Sequence, residues 1–295
     1  MISTACYPQD TVYGLESTPP PKLQAKPYAP EFFAGRQNLT RFGLAISADN
    51  QRCYYAVALN DKGLFREEIR FTQQNPDGTW TEPEPLLSAE TKYKYVDPHF
   101  SPDGQRLFFI YTKPADPASA RPQQWFDIWY VNRTDDGWSL PVNVGAPVST
   151  PHAHEYYVSL TSGQTMFFGS NRADPDNFDL YAAELGQDGA YQQPQTLKGE
   201  VNTSHYEADV IVAPDESYII FSSSGREDGL GRGDLYVSFK DAEGNWSAGK
   251  NLGDGVNSEQ QEFAPSLSDD QQALFFSRGG VIHWVSTSVI DAQRP

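Results

Sequence analysis

The sequence predicts an all-β chain folded as a five-bladed β-propeller of four-stranded antiparallel blades. Three observations predict it: one hairpin pattern recurs five times, its spacing stays near 55 residues, and no stretch carries a sustained helical period. Each unit has an apolar strand, a polar turn and a strongly aromatic strand. The turns are marked by Ser47, Ser101, Thr161, Ala213 and Ser268, at steps of 54, 60, 52 and 55 residues.

The pieces follow in order along each unit. Leu44-Ala45-Ile46, Pro98-His99-Phe100, Val158-Ser159-Leu160, Val210-Ile211-Val212 and Pro265-Ser266-Leu267 read as the first strands. Ser101-Pro102-Asp103-Gly104 is turn chemistry, with Pro presetting one turn residue and Gly accepting positive φ. Second strands are the runs Cys53-Tyr54-Tyr55, Leu107-Phe108-Phe109, Met166-Phe167-Phe168, Tyr218-Ile219-Ile220-Phe221 and Leu274-Phe275-Phe276. Continuous apolar runs of this length predict strands covered on both faces. Third strands read Phe126-Asp127-Ile128-Trp129-Tyr130, Phe178-Asp179-Leu180-Tyr181 and Gly233-Asp234-Leu235-Tyr236-Val237. Fourth strands are expected to begin at Trp80, Trp138, Tyr191 and Trp246, which repeat at 58, 53 and 55 residues. The fifth unit stops after its third strand, Val281–Ser286, so an N-terminal strand within 28–35 is expected to complete the last blade. Residues 1–27 read as an N-terminal extension and 28–295 as the propeller.

Composition bounds the function. With 39 acidic against 22 basic residues the chain carries −17, which argues against a duplex or single-stranded nucleic acid partner held by phosphate neutralisation. No apolar stretch reaches the length of a transmembrane helix. Two cysteines, Cys6 and Cys53, make neither a disulfide framework nor a Cys-rich zinc site. Small residues before Cys6 read as the remnant of a lipoprotein signal, so periplasmic or extracellular placement with a lipid anchor at Cys6 is expected. A closed propeller has few free edges to pair, so a monomer is expected.

The repeats resemble the TolB-type, WD-like propeller family. The matching elements are Asp97-Pro98 through Gly104; Glu155 with Ser170-Asn171-Arg172 and Asp179-Leu180-Tyr181; Glu207 with Pro214-Asp215, Arg226 and Asp234-Leu235-Tyr236; and Glu262 with Pro265-Ser266 and Ser277-Arg278. The likeness covers about residues 40 to 290 and implies the propeller fold. It implies no single activity, because this family spans periplasmic scaffolding, carbohydrate-processing and peptidase-associated propellers. The first unit departs: Arg41 replaces the Glu, and neither Ser-x-Arg nor Asp-Ile-Tyr follows.

Six residues before each turn landmark stand Arg41, Tyr95, Glu155, Glu207 and Glu262, expected to converge on one channel mouth. Glu155, Glu207 and Asp97 are the candidate acid–base carboxylates if the chain is an enzyme. Arg41, Tyr95, Glu262, Trp125, Arg172, Arg226 and Arg278 are the candidate ligand-binding set. The alternative reading pairs each Glu with its local Arg as scaffold. His152, His154 and His205 lie in linkers beside Glu155 and Glu207, where imidazoles and a carboxylate would hold a divalent metal. The loop 113–124 with Trp125 would form a lid or an aromatic platform. The function expected is binding of a small polar ligand, a glycan, or of a protein partner at the channel mouth. The alternative is a carbohydrate-active enzyme, a glycoside hydrolase or polysaccharide lyase, metal-assisted or not.

Overall fold

The computed structural model describes residues 19–28, 33, 39–61, 64–87, 92–116, 118 and 125–295, and these form five antiparallel sheets, the blades of a β-propeller. After β1 (Lys26–Pro27), blade 1 contains β2 (Thr40–Ile46), β3 (Arg52–Asp61), β4 (Leu64–Gln73) and β5 (Glu84–Pro85). Blade 2 contains β6 (Tyr95–Phe100), β7 (Arg106–Tyr111), β8 (Asp127–Thr134) and β10 (Val142–Asn143), with β9 (Gly137–Trp138) paired to the end of β8. Blade 3 is β11 (Glu155–Leu160), β12 (Met166–Ser170), β13 (Asp179–Ala183) and β14 (Gln195–Thr196). Blade 4 is β15 (Tyr206–Val212), β16 (Tyr218–Ser224), β17 (Asp234–Phe239) and β18 (Lys250–Asn251). Blade 5 is β19 (Glu262–Leu267), β20 (Ala273–Arg278) and β21 (Val281–Ser286), followed by the short helix α1 (Ser288–Asp291).

The ring is closed by an N-terminal strand in the last blade, as expected, but the strand is β1. Lys26 pairs with Trp284 and Pro27 with His283, and the Tyr28 N–H donates to Ile282 O at 2.8 Å. Most of 28–35 lies outside the described residues. Upstream, the Ser286 N–H donates to Pro21 O at 2.7 Å, so residues 21–28 run along β21. The fourth strands also start later than expected. Trp80, Tyr191 and Trp246 close the preceding turn through single bridges to Gln74, Leu185 and Lys240, while Trp138 does so within β9.

Each second strand packs against a blade on both faces, which explains its unbroken apolar run. Leu107 and Phe109 belong to the seam between blades 1 and 2, and Phe108 to the seam between blades 2 and 3. In β16 and β20 the same split holds: Ile219 and Phe221 face blade 3, Ile220 faces blade 5, and Phe275 faces blade 1. There are five such buried clusters among the described residues, one per seam. Each fully buried aromatic or aliphatic side chain contributes about 1.5–3 kcal/mol.

Two features position the channel. The turns from first to second strand lie on one side, here called lower, and all five carry a positive-φ residue: Asn50, Gly104, Gln164, Glu216 and Gln271. Only blade 2 carries glycine there. The turn Ser and Asp brace one another, Ser101 Oγ donating to Asp103 Oδ1 at 2.5 Å and accepting the Arg106 N–H at 2.9 Å. Ser101→Ala is expected to lower stability by about 1 kcal/mol, read as a shifted urea midpoint with unchanged slope.

The second feature lies inside the channel. Every innermost strand has a register shift at one point, and there the backbone turns left-handed: Gly43 (φ 54°), Asp97 (57°), Tyr157 (52°), Asp209 (49°) and Ala264 (51°). These are β-bulges, one extra residue per strand, and they recur in phase with the repeat. The fold demands the conformation in every blade, yet four of the five positions carry a side chain that makes it unfavourable.

Blade 1 differs from the rest. Its β3–β4 hairpin pairs over ten positions, against five or six in the second-to-third-strand hairpins of the other blades. Four extra residues per strand extend it about 13 Å on the upper side at 3.3 Å per residue. The unit that lacked the repeat's signature is thus the one with the projecting hairpin.

Candidate functional site

The recurring glutamates are each taken up by their own blade. Glu155, Glu207 and Glu262 are fully buried. Glu207 Oε1 accepts from Arg226 Nη2 at 2.7 Å and from the Thr203 hydroxyl at 2.6 Å, while Oε2 accepts the Thr203 N–H at 3.0 Å. Glu262 repeats this with Arg278 Nε at 2.7 Å and Ser258. Glu155 repeats it with Arg172 at 3.2 Å and Thr150. Burial pushes the Glu155 carboxyl well up, opposed by Arg172 and the Thr150 donors. Each Arg also reaches a carbonyl of the incoming loop: Val148 from Arg172, Val201 from Arg226 and Val256 from Arg278. The geometry is that of a clasp tying the loop between blades to the blade it enters.

Blades 1 and 2 replace the clasp. Arg41 Nη1 donates to Leu39 O at 3.4 Å and its guanidinium sits 4.5 Å from the Phe33 ring. Tyr95 is buried, its hydroxyl 3.5 Å from Leu87 O. Each of the five positions is engaged by its own local partners.

What does meet is the bulge ring. Asp97 and Asp209 border the channel from blades 2 and 4. Burial raises the Asp97 carboxyl well above the usual range, and Asp209 and Glu67 push in the same direction. Its Oδ1 has no hydrogen-bond partner among the described residues. Asp97 leans toward Gly43, where a Cβ would lie 2.8 Å from that oxygen; glycine therefore makes room for the carboxyl. Burial raises Asp209 too, but Oδ2 accepts the Ala264 N–H at 3.2 Å and the Ser222 hydroxyl at 3.2 Å, which oppose the rise. Tyr157 completes the layer by donating its hydroxyl to Pro265 O of blade 5.

Above the ring runs a chain of aromatic side chains across blades 2, 3 and 4. Trp125 lies 5.3 Å from His154, His154 stacks on Tyr156 at 5.3 Å, Tyr156 on Phe178 at 5.0 Å, and Phe178 meets Tyr206 at 5.1 Å between ring centroids. Burial pushes the Tyr156 hydroxyl up to about 12, with Asp209 and Asp97 acting in the same direction, and Tyr206 feels the same two carboxyls. The arc therefore lies over the acidic ring. On the opposite flank, Glu67 of the blade 1 hairpin pairs with Lys94 at 2.8 Å, and Lys94 lies 4.9 Å over the Phe65 ring.

The histidines divide. His154 is part of the aromatic arc, its Nδ1 3.4 Å from the Phe126 amide. His152 is exposed, and His205 sits beside Gly225 in the next blade's linker. Among the described residues no three His, Cys, Asp or Glu side chains gather into a group that would hold a metal ion, so the His152, His154 and His205 set is not brought together. Most of loop 113–124 and all of the Cys6 segment lie outside the described residues, while Trp125 packs on His154. No described helix is long and apolar enough to cross a membrane.

Sequence reasoning missed Asp209, Tyr156, Tyr157 and Tyr206. For Tyr157 and Asp209 the signal was present four residues before each turn landmark. That column reads Gly43, Asp97, Tyr157, Asp209, Ala264, and its residue types vary from blade to blade although its conformation does not.

No protein-family model matches the chain, and no curated protein matches it. Solved structures do. The β-1,2-mannobiose phosphorylase of Listeria innocua is 10% identical with a TM-score of 0.54, over 85% of this chain and 90% of that one. An endo-arabinase of Bacteroides thetaiotaomicron is 12% identical with a TM-score of 0.52, over 83% and 92%. TolB from Acinetobacter baumannii is 17% identical with a TM-score of 0.49, over 83% of this chain and 54% of that one, so the chain spans about half the TolB length. At these identities the likeness to the phosphorylase and the arabinase shows the fold.

Proposed function

We propose that the protein binds a small polyhydroxylated ligand, a sugar or short glycan, at the upper mouth of its channel. The observation that carries this reading is the bulge ring, with the Asp97 and Asp209 carboxyls beneath the aromatic arc of Tyr156 and Tyr206. Carboxyls accept hydrogen bonds from hydroxyls, and aromatic faces cover the C–H faces of a sugar ring. The folded repeat needs neither acid, since Gly43 and Ala264 serve at equivalent positions. Two carbohydrate-active enzymes among the similar folds, one acting on a mannobiose and one an arabinase, support the ligand class by analogy alone.

A second reading makes the same pair an acid and a base. The inequality between Asp97, unpartnered at Oδ1, and Asp209, steadied by two donors, favours it, because acid–base catalysis on glycosides needs carboxyls of unequal proton affinity.

Glycan-array screening followed by calorimetric titration tests both. Tyr156→Ala and Asp97→Asn are expected to weaken the best array ligand at least tenfold while the protein stays folded. An array without binders sinks the sugar reading, and undiminished binding in both variants moves the site away from the ring. Cleavage of the bound glycan by wild type, abolished in Asp97→Asn with binding retained, would establish the second reading over the first.

A further inference from the structure

The channel has a second end. On the lower side, the first strands and turns of all five blades enclose a funnel of about 580 Å³, walled by Ile46, His99, Leu160, Ile211 and Ser266 and rimmed by Asp49 and Asp269. This volume admits a small molecule and is separate from the aromatic arc above the ring.

Its polar groups are arranged by depth. One layer below the bulge ring the equivalent side chains are Ala45, His99, Ser159, Ile211 and Ser266. Two of the polar members brace the next blade: His99 Nε2 accepts the Leu160 N–H at 3.3 Å, and Ser159 Oγ accepts the Val212 N–H at 3.0 Å. Ser266 does not. It is 7% exposed, and its hydroxyl has no partner among the described residues. Because His99 accepts through Nε2, its neutral ring carries the proton on Nδ1, a second donor in the funnel wall. Burial holds this imidazole down to about 4, so the ring is neutral at physiological pH.

Arg52 and Arg133 line the wall between blades 1 and 2, half-buried, and neither forms an ion pair within 4 Å among the described residues. Arg133 is held 5.1 Å over the Trp138 ring, and the Trp138 indole donates to Tyr54 Oη at 3.0 Å, which fixes that part of the wall. The rim acids are exposed, and Asp49 is occupied by Ser47 and the Gln51 N–H. Asp49 lies close enough to both arginines to be held down by them, and the same arginines border the groove between blades 1 and 2 beside Asp135 and Asp136. Two arginines still line this cavity in a chain of net −17, with Arg133 also engaging the Tyr54 hydroxyl.

We propose that the lower funnel is a second binding site, for a small molecule bearing a carboxylate or phosphate oxyanion, held by Arg52 and Arg133 with Ser266 and His99 donating from the floor. Planar guanidinium forks suit either oxyanion, and a buried unpartnered hydroxyl is satisfied by the same acceptor.

The test is calorimetric titration of the full chain with gluconate, with inorganic phosphate and with neutral glucose, at low and high salt. Gluconate, phosphate or both are expected to bind more weakly at high salt, and glucose is expected not to compete with them. Arg133→Met and Arg52→Met should each weaken anion binding tenfold or more, and Ser266→Ala severalfold, while Tyr156→Ala at the upper mouth leaves it unchanged. Which anion binds decides between carboxylate and phosphate. The proposal is overturned if neither anion binds at millimolar concentration, if binding is equal in Arg133→Met and Ser266→Ala, or if glucose displaces the anion. Loss of anion binding in Tyr156→Ala also overturns it, by placing the anion at the upper mouth.

Discussion

Arg226→Met is expected to destabilise the protein by about 3–5 kcal/mol, because it leaves the Glu207 carboxyl buried without its cation. Glu207 is 0% exposed and water has no access with which to replace the guanidinium. The same substitution strips Val201 O and Ser223 Oγ of their donor, so the incoming loop loses its anchor as well. Thr203 keeps two hydrogen bonds to the carboxylate, which limits the loss to that range. Urea unfolding at neutral pH measures it. Glu207→Gln with Arg226→Met should recover part of the loss, because the buried charge is then gone. A deficit under 1 kcal/mol for the single variant would mean that the clasp opens to water.

Asp97→Asn is expected to stabilise the protein at neutral pH by more than about 1 kcal/mol, the worth of one pKa unit, because the buried carboxyl must take up a proton to stay neutral and the amide need not. The carboxyls of Asp97 and Asp209 are raised in the folded state, so the native protein keeps protons that the unfolded chain releases above about pH 4. Their contribution is fully present below the unfolded value and is lost as pH rises through the folded values. Turn acids act oppositely: Asp103 and Asp215 are lowered by their Ser101 and Ser217 hydrogen bonds, so their stabilisation is lost on acidification. The informative quantity is therefore the difference between variant and wild type. It should be near zero in acid and grow toward neutral pH, and a difference flat across that interval would show that Asp97 is not held protonated.

The propeller was legible because its physics repeats. Turn residues, double-faced aromatic strands and a 55-residue period each report the blade separately. The clasps were half legible: Glu155, Glu207 and Glu262 with Arg172, Arg226 and Arg278 were visible as recurring pairs, but not which way they pointed. Side chains alternate along a strand only until a bulge adds a residue, so a count from the turn loses its phase between Glu207 and Ile211. That is why Asp209 escaped notice while Glu207 drew attention. β1 was missed by a few positions for another reason. Two residues carry no periodicity, and Lys26 and Pro27 do not look like a strand. The lower funnel left no local mark at all, since Arg52, His99, Arg133 and Ser266 come from three blades and converge only when the ring closes.

That closure also orders events in time. Lys26 and Pro27 leave the ribosome long before Trp284 and His283, their partners in blade 5. Contacts at about 250 residues of separation are among the slowest for a chain to find. Until the last strand is made, the seam between blades 5 and 1 stands open, with Tyr55 and Val57 lacking the apolar surface that covers them in the finished ring. A nascent chain is thus sticky along one specific edge for nearly the whole of its synthesis, and any factor that shields it during that interval would bind there.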